Sequence, residues 1–385
     1  MDYTKASLIF KIQKISRYIK MYGPQRTWVK IHSQLHLKHE NEFAGIRWIN
    51  PKVAENKGKI AIIGCGNFSY SVIAYYINKY AKFSIKYAYD INKARSLSLA
   101  KKYAVYCATS RLEDILEDPA IKLVYIASNH STHAEYAIKA IEKGKSVHIE
   151  KPHAVSIEQL NRLILAAKKH PEVKLFVGFN RPKSILFQKL KQELHKQTGP
   201  MMMNWFIAGH RIEDDHWYFS AEEGGRVLGN LCHWSDLCLH LINNKNAFPC
   251  VIQPAHHTDS KSDFAVTITF ADQSVAVLTF SAKGHTFEGV REYLNVHKGD
   301  LLATLNDFYH LQMDCVNKKY KKKLTFRDHG HEKNILNSYM NTFSENGRGD
   351  DILYIYQTAL LILKIKEAID TGKRVICEDG WITTT

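Results

Sequence analysis

Several absences narrow the class of this chain. No run of about 18 or more uncharged apolar residues occurs among its 385, so a transmembrane helix is not expected. Lys11 and Lys14 interrupt the apolar stretch near the N-terminus, which makes a poor signal peptide. Seven cysteines are present, an odd number without CxxC pairs or regular spacing. They argue for free thiols in a reducing cytosol and against a disulfide scaffold or zinc ribbon. Helix–turn–helix, RNP and zinc-finger patterns are missing, so nucleic acid is not the favoured partner. Acidic residues are in deficit, and the formal charge of +15 attracts anionic molecules. That charge is spread along the chain. One dense run, "KKYKKKL" at 318–324, reads as a solvated loop or edge strand whose lysines discourage edge-to-edge pairing.

What is present suffices for two packed domains. The chain is 45% hydrophobic and 24% charged, too apolar to be disordered. Three zones are expected: a basic, aromatic-rich N-terminal extension over 1–57, a dinucleotide-binding domain over 58–180, and a substrate and oligomerisation domain over 181–385. In the middle zone "KIAIIG", "KYAYD", "KLVYIAS", "SVHIEKP" and "KLFVGF" read as strands. Between them "FSYSVIAYYINKY", "NKARSLSLAKKY", "STHAEYAIKAIEKGK" and "SIEQLNRLILAAKKH" have helical periodicity. Ser131 or Thr132 is expected to cap the third helix and Gly144 to end it. Such alternation implies an α/β domain with a parallel sheet covered on both faces. Later, "MMMNWFIA", "DFAVTITF", "SVAVLTFSA", "EYLNVH" and "DLLATL" predict an open, mainly antiparallel sheet. "ADQ" and "KGD" serve as its hairpin connections.

The stretch "IAIIGCGNFSYS" raises a specific question. In a dinucleotide fingerprint the first glycine permits the tight turn, the second admits the pyrophosphate, and the third allows close helix packing. Gly64 and Gly66 supply the first two, and Ser69 stands at the third, where a small side chain costs modestly. The backbone N–H groups of Asn67 and Phe68 then face phosphate from the helix start. Asp90 ends the next strand, near the spacing of about 20 residues expected for the carboxylate that holds the adenosine ribose. A carboxylate there repels a 2′-phosphate, which favours NAD(H); Lys93 nearby softens the preference and leaves NADP(H) open. The alternative for Asp90 is a helix cap.

Taken together, "IGCGNFS", "AYDIN", "IASNHSTHAEYAIKAIEKGKSVHIEKPHAVS", "VGFNRP" and "GGRVLGNLCHWSDL" resemble the glucose-fructose oxidoreductase/inositol dehydrogenase/rhizopine-catabolism (Gfo/Idh/MocA) family of nicotinamide-dependent oxidoreductases. The likeness runs from about Lys59 to Cys377. It implies an N-terminal Rossmann domain, and an α+β C-terminal domain whose open sheet faces the nicotinamide and often mediates a homodimer or homotetramer. It places Ala127, Ser128, Asn129, His133, Glu150 and Lys151 at the cofactor. Lys151, in Glu150-Lys151-Pro152, is the implied oxyanion-stabilising ammonium, often followed by a cis peptide to Pro152. His233 is the implied proton-transfer residue. An aspartate common four residues before it is Gly229 here, with Asn230 alongside; an amide can bind a hydroxyl but takes no proton at neutral pH. His210 or His216 is the substitute, and loss of oxidoreductase activity is the other outcome.

Further substrate contacts are Asn180 and Arg181, the latter suited to a phosphate or carboxylate or to an ion pair. "AGHRIEDDHWY" gathers His210, Asp214, Asp215, His216 and Trp217 in one loop, a polar–aromatic mixture fit for sugars; a metal site is not favoured there. In the extension, Leu8, Ile12, Ile15, Ile19 and Tyr22 form one helical stripe between Lys11, Lys14, Arg17 and Lys20. This stripe can pack on the body or another subunit, lie on anionic membrane, or recruit a partner. Similar basic arms precede this domain in oxidoreductases of surface-polysaccharide gene sets. The reading is therefore a cytoplasmic NAD(H)-dependent oxidoreductase of a sugar or nucleotide-sugar hydroxyl or carbonyl. An NAD-dependent glycosidase using transient oxidation and a non-catalytic NAD(H)-responsive binding protein are the alternatives.

Overall fold

The computed structural model describes residues 7–242, 247–255, 262–283 and 289–380. The first six residues of the expected extension and the last five of the C-terminal domain lie outside that set. The chain forms two compact units. One comprises Gln25–Gly178 with Glu332–Ile352, and the other Met1–Pro24, Phe179–His331 and Leu353–Thr385.

In the first of these units a seven-stranded sheet runs in the order β1-β4-β3-β2-β5-β6-β7. Its strands are β1 (Arg47–Ile49), β2 (Ile60–Ile63), β3 (Ile85–Tyr89), β4 (Cys107–Thr109), β5 (Leu123–Ile126), β6 (Ser146–Ile149) and β7 (Leu175–Val177). All neighbours are parallel except β1 and β4. Every residue of β2, β5 and β6 is buried, as helices on both faces require. Each fully buried isoleucine or leucine side chain contributes about 1.5–3 kcal/mol. The five expected strands are all present. β1 and β4, three residues each, were not anticipated.

The covering helices include α3 (Ala74–Tyr80), α4 (Lys93–Tyr103), α6 (His130–Glu142) and α7 (Ile157–Lys169), with the short α5 (Glu113–Leu116) between strands. Asn129, not Ser131 or Thr132, occupies the N-cap of α6; the Thr132 hydroxyl instead donates to the Asn129 carbonyl at 2.8 Å. Gly144 ends the helix at φ +68°, as expected. Residues far along the chain return to this unit in α10 (His331–Phe343). There Ser338 Oγ lies 2.7 Å from His148 Nδ1, and the Ile335 carbonyl accepts the Tyr125 hydroxyl at 2.8 Å.

The N-terminal extension is divided. Its first helix, α1 (Leu8–Tyr22), begins with Ser7 accepting the Phe10 N–H and belongs with the second unit. Its end is held there by Arg327, whose N–H reaches the Met21 carbonyl at 2.7 Å and whose Nη1 reaches the Tyr22 hydroxyl at 3.0 Å. α2 (Pro24–His36) lies from Gln25 onward with the parallel sheet, as does β1, where Arg47 Nε reaches Asp114 at 2.6 Å. α2 and β1 thus pack on the parallel-sheet unit.

The second unit holds a nine-stranded sheet in the order β15-β14-β13-β12-β8-β11-β10-β9-β16. These are β8 (Met201–Ala208), β9 (Cys250–Pro254), β10 (Asp263–Thr269), β11 (Val275–Ser281), β12 (Arg291–Lys298), β13 (Leu301–Asn306), β14 (His310–Cys315), β15 (Lys318–Lys323) and β16 (Val375–Cys377). Both expected hairpins form, pairing β10 with β11 and β12 with β13. The sheet is antiparallel apart from β8 and β11, which run parallel. The lysine run is the edge strand β15, exposed at all six positions. Along β8 burial alternates: Met201, Met203, Trp205 and Ile207 are buried, whereas Met202 and Phe206 are exposed. One face packs under α8 (Ile185–Leu194) and α9 (Cys232–Ile242). α9 in turn is fastened to α11 (Ile352–Thr371) by the Tyr354 hydroxyl donating to Asp236 at 2.6 Å.

All seven cysteines are free thiols. Among the described residues no helix is long and apolar enough to cross a membrane.

Candidate functional site

The strand order changes direction at β2, which lies between β3 and β5. In such sheets the crevice beyond the carboxyl ends of the strands at this point receives ligands. Gly64 follows β2 with φ +85°, and a Cβ there would sit 2.5 Å from the Ala127 carbonyl oxygen after β5. No side chain fits. Gly66 is the opposite case, because a Cβ there meets nothing within 4 Å. The backbone at Gly66 thus borders open space, as the approach of a diphosphate demands. Gly66, Asn67 and Phe68 are half-buried between fully buried neighbours. These observations fit a dinucleotide.

Ser69 resolves the question of the missing third glycine. It is fully buried, and its hydroxyl donates to the Gly64 carbonyl at 2.5 Å. The serine therefore fastens the turn rather than merely fitting beneath it. It opens a π-helical turn, Ser69–Ile73, that leads into α3, an irregularity the sequence pattern does not announce.

Asp90 is not a helix cap; Asn92 caps α4 by accepting the Arg95 N–H. The Asp90 carboxylate accepts the Cys65 N–H at 2.7 Å on one oxygen and the Asn92 N–H at 2.8 Å on the other. Each oxygen retains a lone pair for a ribose hydroxyl. Lys93, expected to temper the charge of Asp90, instead donates to the Gly45 carbonyl at 2.7 Å and lies over the Phe43 ring. The extension has recruited it.

Sequence reasoning missed α2. His36 is buried and stacks on Tyr70 with ring centroids 4.2 Å apart. Its Nε2 lies 2.7 Å from the Cys65 carbonyl, and its Nδ1 3.0 Å from Ser98 Oγ. A neutral ring protonated at Nε2 satisfies both, donating to the carbonyl and accepting from the hydroxyl. Burial lowers the His36 imidazole to about 4, against the pull of the Cys65 carbonyl. Arg26 Nη1 donates to the Ser71 carbonyl at 2.6 Å, and Lys30 Nζ to Asn67 Oδ1 at 3.2 Å. Only the basic composition of this helix could have signalled such a role.

Ala127, Ser128 and Asn129 stand at the end of β5, where Ser128 Oγ lies 2.7 Å from Thr132 Oγ1. His133 does not present its ring to this opening. It is buried, with Nδ1 2.8 Å from the Pro152 carbonyl and Nε2 3.0 Å from the Ser128 carbonyl. Burial lowers its pKa, and a neutral ring donates to one carbonyl at a time; the residue positions two loops. Glu150 is likewise enclosed, with a Cβ at Gly178 lying 2.7 Å from its Cδ. The Lys151–Pro152 peptide is cis, in line with the resemblance, and Lys151 is half-buried.

In the second unit the structure redistributes the expected substrate contacts. Arg181 is committed to Glu292 through two hydrogen bonds, Nε–Oε2 at 2.6 Å and Nη2–Oε1 at 2.9 Å. Burial alone would raise the Glu292 carboxyl; Arg181 and His329 outweigh it and hold the group well below the ordinary carboxylate range. Trp234 Nε1 adds a donor at 3.1 Å. Of the two readings of Arg181, the geometry favours the ion pair. Asn180 donates to the His329 carbonyl at 2.6 Å. His233 is buried in α9, edge-on to Phe179 and Trp234. Asn230 lies one turn before it, and its buried Oδ1 has no hydrogen-bond partner among the described residues.

The loop residues form an aromatic step. The Trp217 ring meets Tyr218 edge-on at 4.5 Å and lies 5.6 Å from His216, while Asp214 and Asp215 are exposed. Arg226 was not anticipated. It is 5% exposed, donates to the His210 carbonyl at 2.5 Å and lies over Phe280. No carboxylate pairs with it among the described residues. Burial lowers its pKa, and its charge lowers that of His216 after burial has done so.

A parallel sheet, a glycine turn at its switch point and a carboxylate ending the next strand define the class as a Rossmann-fold dinucleotide domain. Residues 58–179 match the model of the Gfo/Idh/MocA oxidoreductase family, with NAD-binding Rossmann fold. The match covers this dinucleotide-binding segment, about a third of the chain. An uncharacterized oxidoreductase of Bacillus subtilis, YrbE, is 33% identical over 227 residues, covering 56% of this chain and 65% of its own. An inositol 2-dehydrogenase of Ralstonia nicotianae is 28% identical over 210 residues, covering 54% and 61%. The chain thus spans less than two thirds of these relatives' length. A probable dehydrogenase structure from Thermotoga maritima superposes with TM-score 0.67 at 20% identity, covering 83% of this chain and 98% of that one. A levoglucosan dehydrogenase in complex with NADH and L-sorbose gives 0.69 at 19%, covering 83% and 99%. At these identities the structures speak to the fold.

Proposed function

We propose that the protein is a cytoplasmic NAD(H)-dependent oxidoreductase acting at a hydroxyl or carbonyl carbon of a sugar or nucleotide sugar. Surface-polysaccharide biosynthesis is the setting that its basic extension suggests. The observation that carries the reading is the turn at Gly64 and Gly66, closed against Ala127 on one side, open on the other, and tied to Asp90. NAD supplies the acceptor or donor of hydride when bound. Asp90 holds the ribose hydroxyls, and the amides after Gly66 face the diphosphate. Lys151 stabilises the substrate oxyanion. His233 exchanges the hydroxyl proton, while Asn230, with its unpaired acceptor, fixes the hydroxyl being handled. Gly229 supplies no acid to this relay.

The substrate class follows from the cations left over. Arg181 is consumed by Glu292, whereas Arg226 has none of its five N–H groups on a carboxylate among the described residues. A carboxylate or phosphate on the sugar suits it. The exposed Met202 and Phe206 of the open sheet face support assembly into a homodimer or homotetramer. Along α1, Leu8 is 71% and Ile12 58% exposed, and their basic flanks suit peripheral contact with anionic lipid.

The test is purified protein with NADH against candidate ketosugars, and with NAD⁺ against the corresponding alcohols. Turnover that Lys151→Ala abolishes supports the assignment. Intact turnover in that variant overturns the role of Lys151, and dinucleotide binding without turnover of any sugar selects the non-catalytic alternative.

A further inference from the structure

We infer that Lys30, on the N-terminal extension, contacts the dinucleotide diphosphate, so that α2 completes the cofactor site from outside the Rossmann segment. This rests on the NAD(H) reading above. Three contacts hold α2 along the phosphate turn: Arg26 on the Ser71 carbonyl, Lys30 on Asn67 Oδ1, and His36 on the Cys65 carbonyl. Arg26 is further fixed between the Tyr75 and Tyr76 rings, 4.9 Å from each centroid. His36 is stacked and buried. Lys30 differs from both, because the residue is exposed and its ammonium has two N–H bonds beyond the one to Asn67.

The position of that ammonium matters. Asn67 immediately follows Gly66, whose missing side chain leaves the backbone bordering open space. A cation hydrogen-bonded to the residue after this glycine stands beside the place where a diphosphate meets the turn. Neither Arg26 nor Lys30 pairs with a carboxylate among the described residues. Crowding by the chain, then the charge of Arg26, lowers the Lys30 ammonium to about 8, as befits a cation whose counter-charge is an arriving anion. The extension is also fastened elsewhere on this unit, Gly45 accepting from Lys93 and Arg47 donating to Asp114, so its docking does not depend on Lys30.

The full-length chain and its Lys30→Gln and Lys30→Arg variants are titrated calorimetrically with NADH and with ADP-ribose, at low and high NaCl. Glutamine keeps a donor for Asn67 and removes the charge. Lys30→Gln is expected to weaken both ligands about tenfold at low salt, with the gap narrowing at high salt, while Lys30→Arg stays within about threefold of wild type. Equal affinity in Lys30→Gln overturns the inference, and so does a loss indifferent to salt, which marks a structural role. Tighter binding overturns it too, making α2 a cover to be displaced. A wild-type chain that binds neither ligand fails the NAD(H) reading itself, and that result is seen before any variant is compared.

Discussion

Cys65 donates its backbone N–H to the Asp90 carboxylate at 2.7 Å, so the residue between the two glycines of the phosphate turn is fastened to the end of β3. One carboxylate shapes the turn and, in the proposed reading, addresses the ribose as well.

Asp90→Ala removes both functions. NADH affinity is expected to fall at least about tenfold, as for loss of a charged acceptor. NADPH affinity falls less, since the repulsion of its 2′-phosphate disappears with the carboxylate. Dissociation constants for the two cofactors check this through their ratio. An unchanged ratio means that Asp90 holds the turn alone.

Ser69 makes a sharper structural test, because a glycine there matches the familiar fingerprint. Ser69→Ala loses the bond to the Gly64 carbonyl and costs about 1 kcal/mol. Ser69→Gly loses it and adds the backbone entropy of glycine at a helix start, for about 2 kcal/mol in all. Chemical denaturation measures both. NADH affinity is expected to stay within about threefold, since the amides facing the ligand are kept. A Ser69→Gly chain as stable as wild type would show that the buried hydroxyl contributes nothing.

How far the sequence disclosed this architecture depended on the range of the interaction. Local period and turn chemistry marked five of the seven strands of the parallel sheet, the hairpins joining β10 to β11 and β12 to β13, and the glycines at 64 and 66. The parallel pairing of β8 with β11 was hidden, since pairing direction leaves no trace in a strand's own pattern. Arg181 and Glu292 lie 111 positions apart, and nothing near either residue reveals that they cancel. His36 and Cys65 are separated by 29, and the helix carrying His36 reads as a free basic arm until the groove beside Tyr70 is built. The long-range contacts around the candidate site were made by packing.

Acidification tests the His36 contact. Its ring is neutral in the folded chain with a pKa of about 4, below the ordinary 6.5 or so of an unfolded chain. Below about pH 6.5 the unfolded chain takes up a proton that the folded one refuses, so this group's contribution to stability is full above that pH. It is lost progressively as the pH falls towards 4, by about 3 kcal/mol. His36→Asn is therefore expected to be less stable than wild type at pH 7.5, with the difference shrinking as the pH approaches 4.5. Melting curves of both chains across this range decide it. A constant gap would mean that the His36 ring titrates alike in both states.

Arg226 carries the last prediction, because a buried guanidinium without a carboxylate needs an anion more than a surface one does. Its one hydrogen bond to the His210 carbonyl and its place over Phe280 hold the group but leave its charge unanswered. A sugar bearing a carboxylate or phosphate supplies that charge together with planar acceptors, which a guanidinium fork engages better than an ammonium. In the presence of NADH, glucuronate and glucose 6-phosphate are expected to raise the melting temperature more than glucose does. Arg226→Met is expected to erase that difference while leaving the response to glucose, and Arg226→Lys to keep part of it, since charge survives without the fork. Should Arg226→Met fold poorly, the lysine variant alone distinguishes the cases: a full anion response in it removes the fork from the argument. No difference between charged and neutral sugars in the wild type removes Arg226 from substrate recognition and leaves it a packing residue beneath His210.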